Sequence, residues 1–221
     1  MSVSLLKRST ECHSICKILN VLMDQIPPHI TILAVTKYST IQEVGDLLKA
    51  NPQIKDIGEN RYPELKEKFQ HFKDLKKHFI GPIQSNKIKA IVQYSDVIQS
   101  VDNLKHLQKI NLHAKEQKKT IYFMFQVNIS NDPNKSGIKA EDLLSTIQEF
   151  QELKLDNVIL VGLMTIGEKA SPQERLAYYK ELKQLFDQTG LKELSMGMSD
   201  DYMQAIEAGA TMIRLGRILF S

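Results

Sequence analysis

Two cysteines in 221 residues leave no room for a disulfide framework. Cys12 and Cys16 stand at helical i,i+4 spacing, so a bond between them would close almost no loop and constrain little. The sequence predicts reduced thiols. His13 lies between them, but three ligands at that spacing match no zinc pattern, and no metal is expected. A charge-free apolar stretch of membrane-spanning length is also missing. The first residues, Met1 to Arg8, lead into a polar, helix-like segment with Glu11 and Lys17, so the expectation is a soluble cytoplasmic protein with no membrane partner. Asn128-Ile129-Ser130 formally matches a glycosylation acceptor, which such a protein never presents to the machinery. The 29 basic and 26 acidic residues are spread along the chain without a basic block, and the net charge of +3 gives no reason to expect nucleic acid. No Gly-x-Gly-x-x-Gly follows an apolar run and no Gly-x-x-x-x-Gly-Lys occurs, which argues against dinucleotide and Walker-type sites.

What the chain does have is 42% hydrophobic content, enough for a substantial core, and one domain spanning residues 1 to 221 is expected. Short β-branched or apolar runs alternate with longer amphipathic ones, the pattern of repeated βα units around a parallel sheet. Eight strands are predicted: Ile30 to Lys37, Ile54 to Asn60, His78 to Ile83, Asp96 to Val101, Thr120 to Asn128, Val158 to Ile166, Glu193 to Met198 and Met212 to Gly216. Between them the clearest helix runs from Ala140 to Leu153, with Leu143, Leu144, Ile147, Phe150 and Leu153 on one face. Ser171-Pro172-Gln173-Glu174 opens another with a capping box. The reading is an α/β fold, a (β/α)8 TIM barrel preceded by an extra N-terminal helix from about Val3 to Gln25. A doubly wound open sheet is the alternative.

A barrel places its chemistry at the carboxyl ends of its strands. Polar residues collect at those ends here: Lys37, Asn60, Gln84, Ser100, Asn128, Thr165, Ser199 and Arg214, while the strand interiors read as mostly apolar. Lys37 closes the first apolar run. An amine at the mouth of an apolar pocket loses hydration of its charged form, which favours the neutral nucleophile that a Schiff base needs. The competing reading is a lysine reaching to water from a strand end. Two further features answer Lys37. Ser199 offers a hydroxyl and an amide at the start of a helix predicted from Asp200, and Gly216 lets a ligand approach the backbone, so the last two loops look like halves of a phosphate site. Read singly, Ser199 is an N-cap and Gly216 a turn glycine; their joint placement with Lys37 favours the site. Gln84 to Lys87 and Asn134 to Gly137 read as solvated turns on the same face. His106 and His113, two turns apart on one predicted helix, lack a third ligand and read as surface residues.

These residues resemble the pyridoxal phosphate homeostasis proteins, single-domain relatives of the barrel half of alanine racemase. The resemblance runs from about Leu33 to Phe220. Its matching pieces are Ala34-Val35-Thr36-Lys37, Ile57-Gly58-Glu59-Asn60, His78 to Lys87, Val127 to Ser130 with Lys135-Ser136-Gly137-Ile138, Gly162-Leu163-Met164, and Leu194 to Asp201. It implies that Lys37 holds pyridoxal 5′-phosphate as a Schiff base, that Ser199 and Gly216 help hold the phosphate, and that Arg214 faces the pyridine nitrogen. Asn60 and Met198 would line the pocket. A permanent cation beside that nitrogen disfavours its protonation and weakens the ring as an electron sink. Racemisation also needs a second base, which the racemases take from an additional β-domain, and this chain stops at Ser221.

The resemblance therefore implies a non-catalytic carrier, with no catalytic residues, that binds and releases the cofactor for intracellular homeostasis. Recipient apoenzymes are its expected partners, and a monomer is expected without a β-domain. Two alternatives stay open: a cofactor-dependent enzyme acting weakly on amino acids, and a cofactor-independent aldolase-type barrel using a Schiff base on Lys37. Two residues depart from the family pattern. Arg217 stands where a small hydroxyl residue is usual, so it either supplies a charged phosphate donor or points away, and Ser221 stands in place of a glycine.

Overall fold

The computed structural model describes residues 23–130, 132–167 and 170–220. The expected helix from Val3 to Gln25 falls outside them apart from residues 23–25, which are helical; Cys12, His13, Cys16 and Ser221 fall outside as well.

The strands are β1 (Thr31–Val35), β2 (Asp56–Glu59), β3 (Lys76–Phe79), β4 (Val97–Val101), β5 (Ile121–Asn128), β6 (Ile138–Lys139), β7 (Val158–Met164), β8 (Glu193–Met198) and β9 (Met212–Leu215). The helices are α1 (Ile41–Ala50), α2 (Tyr62–His71), α3 (Ile88–Tyr94), α4 (Leu104–Glu116), α5 (Leu143–Glu152), α6 (Pro172–Asp187), α7 (Tyr202–Glu207) and α8 (Arg217–Phe220). Every strand pairing is parallel, in the order β4-β3-β2-β1-β9-β8-β7-β5, and β4 then pairs with β5. That last pairing closes the sheet into an eight-stranded barrel and rules out the open sheet. All eight expected strands are present. The ninth, β6, is a two-residue addition lying against the end of β5, too short to leave a periodic signal.

Closure buries both faces of each strand, so strands read as continuous apolar runs. Successive residues point to opposite faces: Leu33 packs with Val97, Met124, Met164 and Met212 in a small cluster, while Ala34 joins the large cluster between strands and helices. Phe123, Phe125 and Phe150 meet edge to face in that outer layer, with centroids 5.1 Å apart for Phe123 and Phe150. Burying each ring contributes about 1.5–3 kcal/mol.

Helix starts follow local chemistry. The predicted capping box at α6 forms, with Ser171 Oγ accepting from the Glu174 amide at 3.3 Å and Glu174 Oε2 accepting from the Ser171 amide at 2.8 Å. Thr40 and Glu43 cap α1 in the same way. Two expectations are corrected. The helix placed from Asp200 begins at Tyr202, with Asp201 rather than Ser199 at its cap position; the Asp201 carboxylate turns back onto the Met198 amide instead of capping the helix. The strand placed from His78 to Ile83 runs instead over Lys76–Phe79. It stops there because the chain turns at Gly81, which lies so close to the Asn60 carbonyl that a Cβ would come within 2.0 Å of its oxygen.

Candidate functional site

Four consecutive strands of the barrel, β2, β1, β9 and β8, carry the residues singled out in the sequence. Registers Leu33↔Arg214, Val35↔Gly58 and Met198↔Arg214 align their carboxyl ends. Asn60 follows β2, Lys37 lies two residues beyond β1, Met198 ends β8 with Ser199 next, and Arg214 sits within β9 ahead of Gly216. Six of the seven candidates thus converge on one half of the barrel mouth, and the seventh, Arg217, opens α8.

Lys37 itself is exposed, so the expected apolar surround is not there. What the structure provides instead is a fixed backbone beneath it. Lys68, on α2, donates to the Thr36 carbonyl at 2.5 Å and to Glu59 Oε1 at 2.7 Å, and the Thr36 hydroxyl donates to the same carboxylate oxygen at 2.6 Å. Thr36, Glu59 and Lys68 are all buried. Tyr38, the next residue, has a left-handed backbone with φ 69°, which costs an L-residue about 1–2 kcal/mol. Its exposed ring is covered by the Arg61 guanidinium, 5.4 Å from the centroid. Lys37 therefore projects from a short segment held on both sides. Beside it, Asn60 Oδ1 is buried with no partner among the described residues.

The β8 loop is shaped by Gly197 and Asp201. Gly197 has φ +87°, and a Cβ there would lie 2.5 Å from the Ala205 Cβ, so only glycine allows α7 to pack so closely. The buried Asp201 carboxylate accepts from the Met198 amide at 2.6 Å and from the Tyr179 hydroxyl at 2.9 Å. Burial first, and the Asp201 charge second, hold the Tyr179 phenol well above the usual tyrosine range, so it stays a donor. The loop then presents Ser199 to the β9 loop, where the Gly216 amide donates to Ser199 Oγ at 3.4 Å. Arg217 pairs with Asp200 at the surface, its Nη2 lying 2.5 Å from the carboxylate.

Arg214 is buried at 4% exposure. Its Nη1 donates to the carbonyl and hydroxyl oxygens of Ser195, both at 2.9 Å, and its Nη2 to the Thr165 carbonyl at 2.6 Å. Burial pulls the guanidinium below the ordinary arginine range, opposed by Tyr179 and Asp201. The strand interiors are less apolar than expected. Ser195 Oγ donates to Gln99 Oε1 at 2.8 Å, Gln99 Nε2 lies 2.9 Å from His78 Nδ1, and His78 Nε2 lies 2.8 Å from Asp56 Oδ1.

The other half of the mouth holds a cavity of about 290 Å³, lined by Ile80, Ser100, Gln126, Asn128 and Thr165 among others. Lys135 and Ser136 also line it, so the Asn134 to Gly137 turn forms a wall rather than only a solvated loop. Its polar side chains brace the mouth: Ser100 donates to the Gly81 carbonyl at 2.6 Å, Gln126 to the Ser136 carbonyl at 2.7 Å, and Thr165 to the Val127 carbonyl at 2.8 Å. Gln84 precedes a 3₁₀ turn, Ser85–Lys87, rather than an open loop. His106 and His113 are half-buried rather than on the open surface, the first against Asn103 and Asp102, the second against Glu116. No group of three His, Cys, Asp or Glu side chains among the described residues could hold a metal. None of the described helices is long and apolar enough to cross a membrane.

The chain is similar in sequence and in fold to known proteins. The family model for "Alanine racemase, N-terminal domain" matches residues 15–221. A pyridoxal phosphate homeostasis protein of Synechocystis is 40% identical over 205 residues, spanning 88% of this chain and 92% of the relative. The structure of PipY from Synechococcus elongatus, with PLP bound, superposes with a TM-score of 0.81 at 30% identity, covering 94% of this chain and all of that one. Alanine racemase of Clostridium difficile superposes with a TM-score of 0.73 at 21% identity, covering 93% of this chain but 56% of its own, a likeness of fold.

Proposed function

We propose, for a chain that belongs to the family of the alanine racemase N-terminal domain, that it binds pyridoxal 5′-phosphate through Lys37 and serves as an intracellular carrier of that cofactor. The observation that carries the reading is the convergence of Lys37, Arg214, Ser199 and Gly216 on the adjacent ends of β1, β9 and β8. Similarity to proteins named for pyridoxal phosphate homeostasis, and to PipY with PLP bound, supports it.

The residues present fit the group. Ser199 Oγ and the Gly216 amide contact each other weakly, at 3.4 Å, and are two donors that a phosphate would separate and engage. Asn60 Oδ1 is a buried acceptor without a partner among the described residues, the kind of atom a ligand satisfies. Met198 supplies an apolar wall. Arg217, occupied by Asp200, is left out of the binding set. When bound, the cofactor supplies a reactive aldehyde and an aromatic ring able to accept electrons. Lys37 supplies the amine that takes the aldehyde, and its fixed backbone sets where that amine reaches. Arg214, cationic and buried against Ser195 and Thr165, is the group to face the ring nitrogen, where a positive charge opposes protonation and keeps the ring a poor electron sink. Little or no racemase activity is the consequence.

The test pairs holding with transfer. Purified protein loaded with pyridoxal phosphate is mixed with an apoenzyme that requires it, and recovery of the apoenzyme is compared with racemisation of amino acids by the loaded protein alone. Recovery without racemisation supports the carrier. Racemisation at ordinary enzymatic rates would replace it with the enzyme reading, and failure to take up the cofactor would favour the cofactor-independent barrel.

A further inference from the structure

A chain of side-chain hydrogen bonds crosses the barrel interior from Arg214 to Asp56 through Ser195, Gln99 and His78, members of β9, β8, β4, β3 and β2. Ser195, Gln99 and His78 are fully buried, and none was singled out in the sequence as part of the site. We propose that Gln99 and Ser195 are positioning residues for Arg214, and that the chain they form sets how the guanidinium meets the ring nitrogen of the cofactor. The inference rests on the cofactor reading above.

The two ends constrain the links between them. A guanidinium only donates and a carboxylate only accepts. Arg214 Nη1 therefore occupies a lone pair of Ser195 Oγ, and the serine hydrogen goes to Gln99 Oε1. With its oxygen so used, Gln99 turns Nε2 to His78 Nδ1, and His78 carries its hydrogen on Nε2, facing Asp56 Oδ1. A serine hydroxyl free to rotate would orient nothing; this one is held by a glutamine that is itself held. The guanidinium is thereby pinned at three oxygens, the Ser195 carbonyl, the Ser195 hydroxyl and the Thr165 carbonyl. With Nη1 and Nη2 so engaged, Nε is the N–H that the guanidinium would turn to a ligand.

Two variants test this: Gln99→Met, which keeps length and removes both polar ends, and Ser195→Ala, which removes only the hydroxyl. Dissociation constants are measured for pyridoxal phosphate and for its analogue with CH in place of the ring nitrogen, alongside thermal melting. Wild type is expected to prefer the natural cofactor by about tenfold, the scale of one hydrogen bond to a charged group. In both variants the preference should fall below about threefold while binding of the analogue is unchanged, a split that general loosening of the barrel would not give. If Gln99→Met does not fold, Ser195→Ala alone decides. An undiminished preference in the folded variants, or none in wild type, overturns the positioning role while the carrier reading stands. Wild type that binds neither compound overturns both.

Discussion

The Gly216 amide donates to Ser199 Oγ across 3.4 Å, joining the loops that follow β8 and β9. A bond of that length is weak, and both groups are better satisfied by an anion's oxygen than by each other. In the proposed function these two groups are the ones that would hold the phosphate. Ser199→Ala should weaken binding of pyridoxal phosphate by about tenfold and leave pyridoxal, which lacks the phosphate, unaffected. Equilibrium titration with the two compounds checks this, and an equal loss for both would move the phosphate elsewhere.

Arg217→Ala should act differently. Its partner is Asp200 at the exposed surface, with side chains 79% and 65% accessible, where ion pairs contribute little. Pyridoxal phosphate affinity should change by less than about twofold, in contrast to Ser199→Ala. A large loss on titration would return Arg217 to the binding set.

The buried pair of Lys68 and Glu59 supports the segment from which Lys37 projects. Lys68→Met strands the Glu59 carboxylate in the interior, a change that costs about 3–5 kcal/mol. Replacing both residues with apolar side chains of similar volume should cost less than Lys68→Met alone, since no charge is then stranded. Urea denaturation of the single and double variants measures the difference.

Tyr179 gives an alkaline signature. Its phenol is raised in the folded protein above the ordinary value of 10.0, chiefly by burial, while in the unfolded chain it ionises near that value. The stability this gives is fully present below the unfolded value and is lost as pH rises from there towards the folded one. Tyr179→Phe should flatten the fall in melting temperature between about pH 9 and 11. A slope unchanged by the substitution would show that Tyr179 does not govern it.

Much of this was legible in the sequence, and the reasons differ from place to place. The eight strands show because a closed parallel barrel buries both strand faces, which turns segments such as Val158 to Met164 into apolar runs. Ser171 and Glu174 show because a capping box is local. Lys68 does not, since a lysine in a charged helix reads as solvated until the fold brings it to Thr36 and Glu59. Gln99 carried a weak signal, a polar residue next to Ser100 inside a buried strand, but its partners His78 and Ser195 lie 21 and 96 residues away. The start of α7 differs from the expected one by two residues; the Asp201 side chain is taken by the Met198 amide, three residues back, and by Tyr179, 22 residues back, a contact made only once the barrel has formed.

The central claim is that Lys37 is the residue that holds the cofactor. Its most direct test is an absorption spectrum of the protein with added pyridoxal phosphate, followed by borohydride reduction and peptide mapping, in wild type and in Lys37→Ala. The account predicts a visible band in wild type and a reduced adduct on the peptide containing Lys37, with both absent from the variant. A band that survives in Lys37→Ala, or an adduct mapped to another lysine, would contradict it.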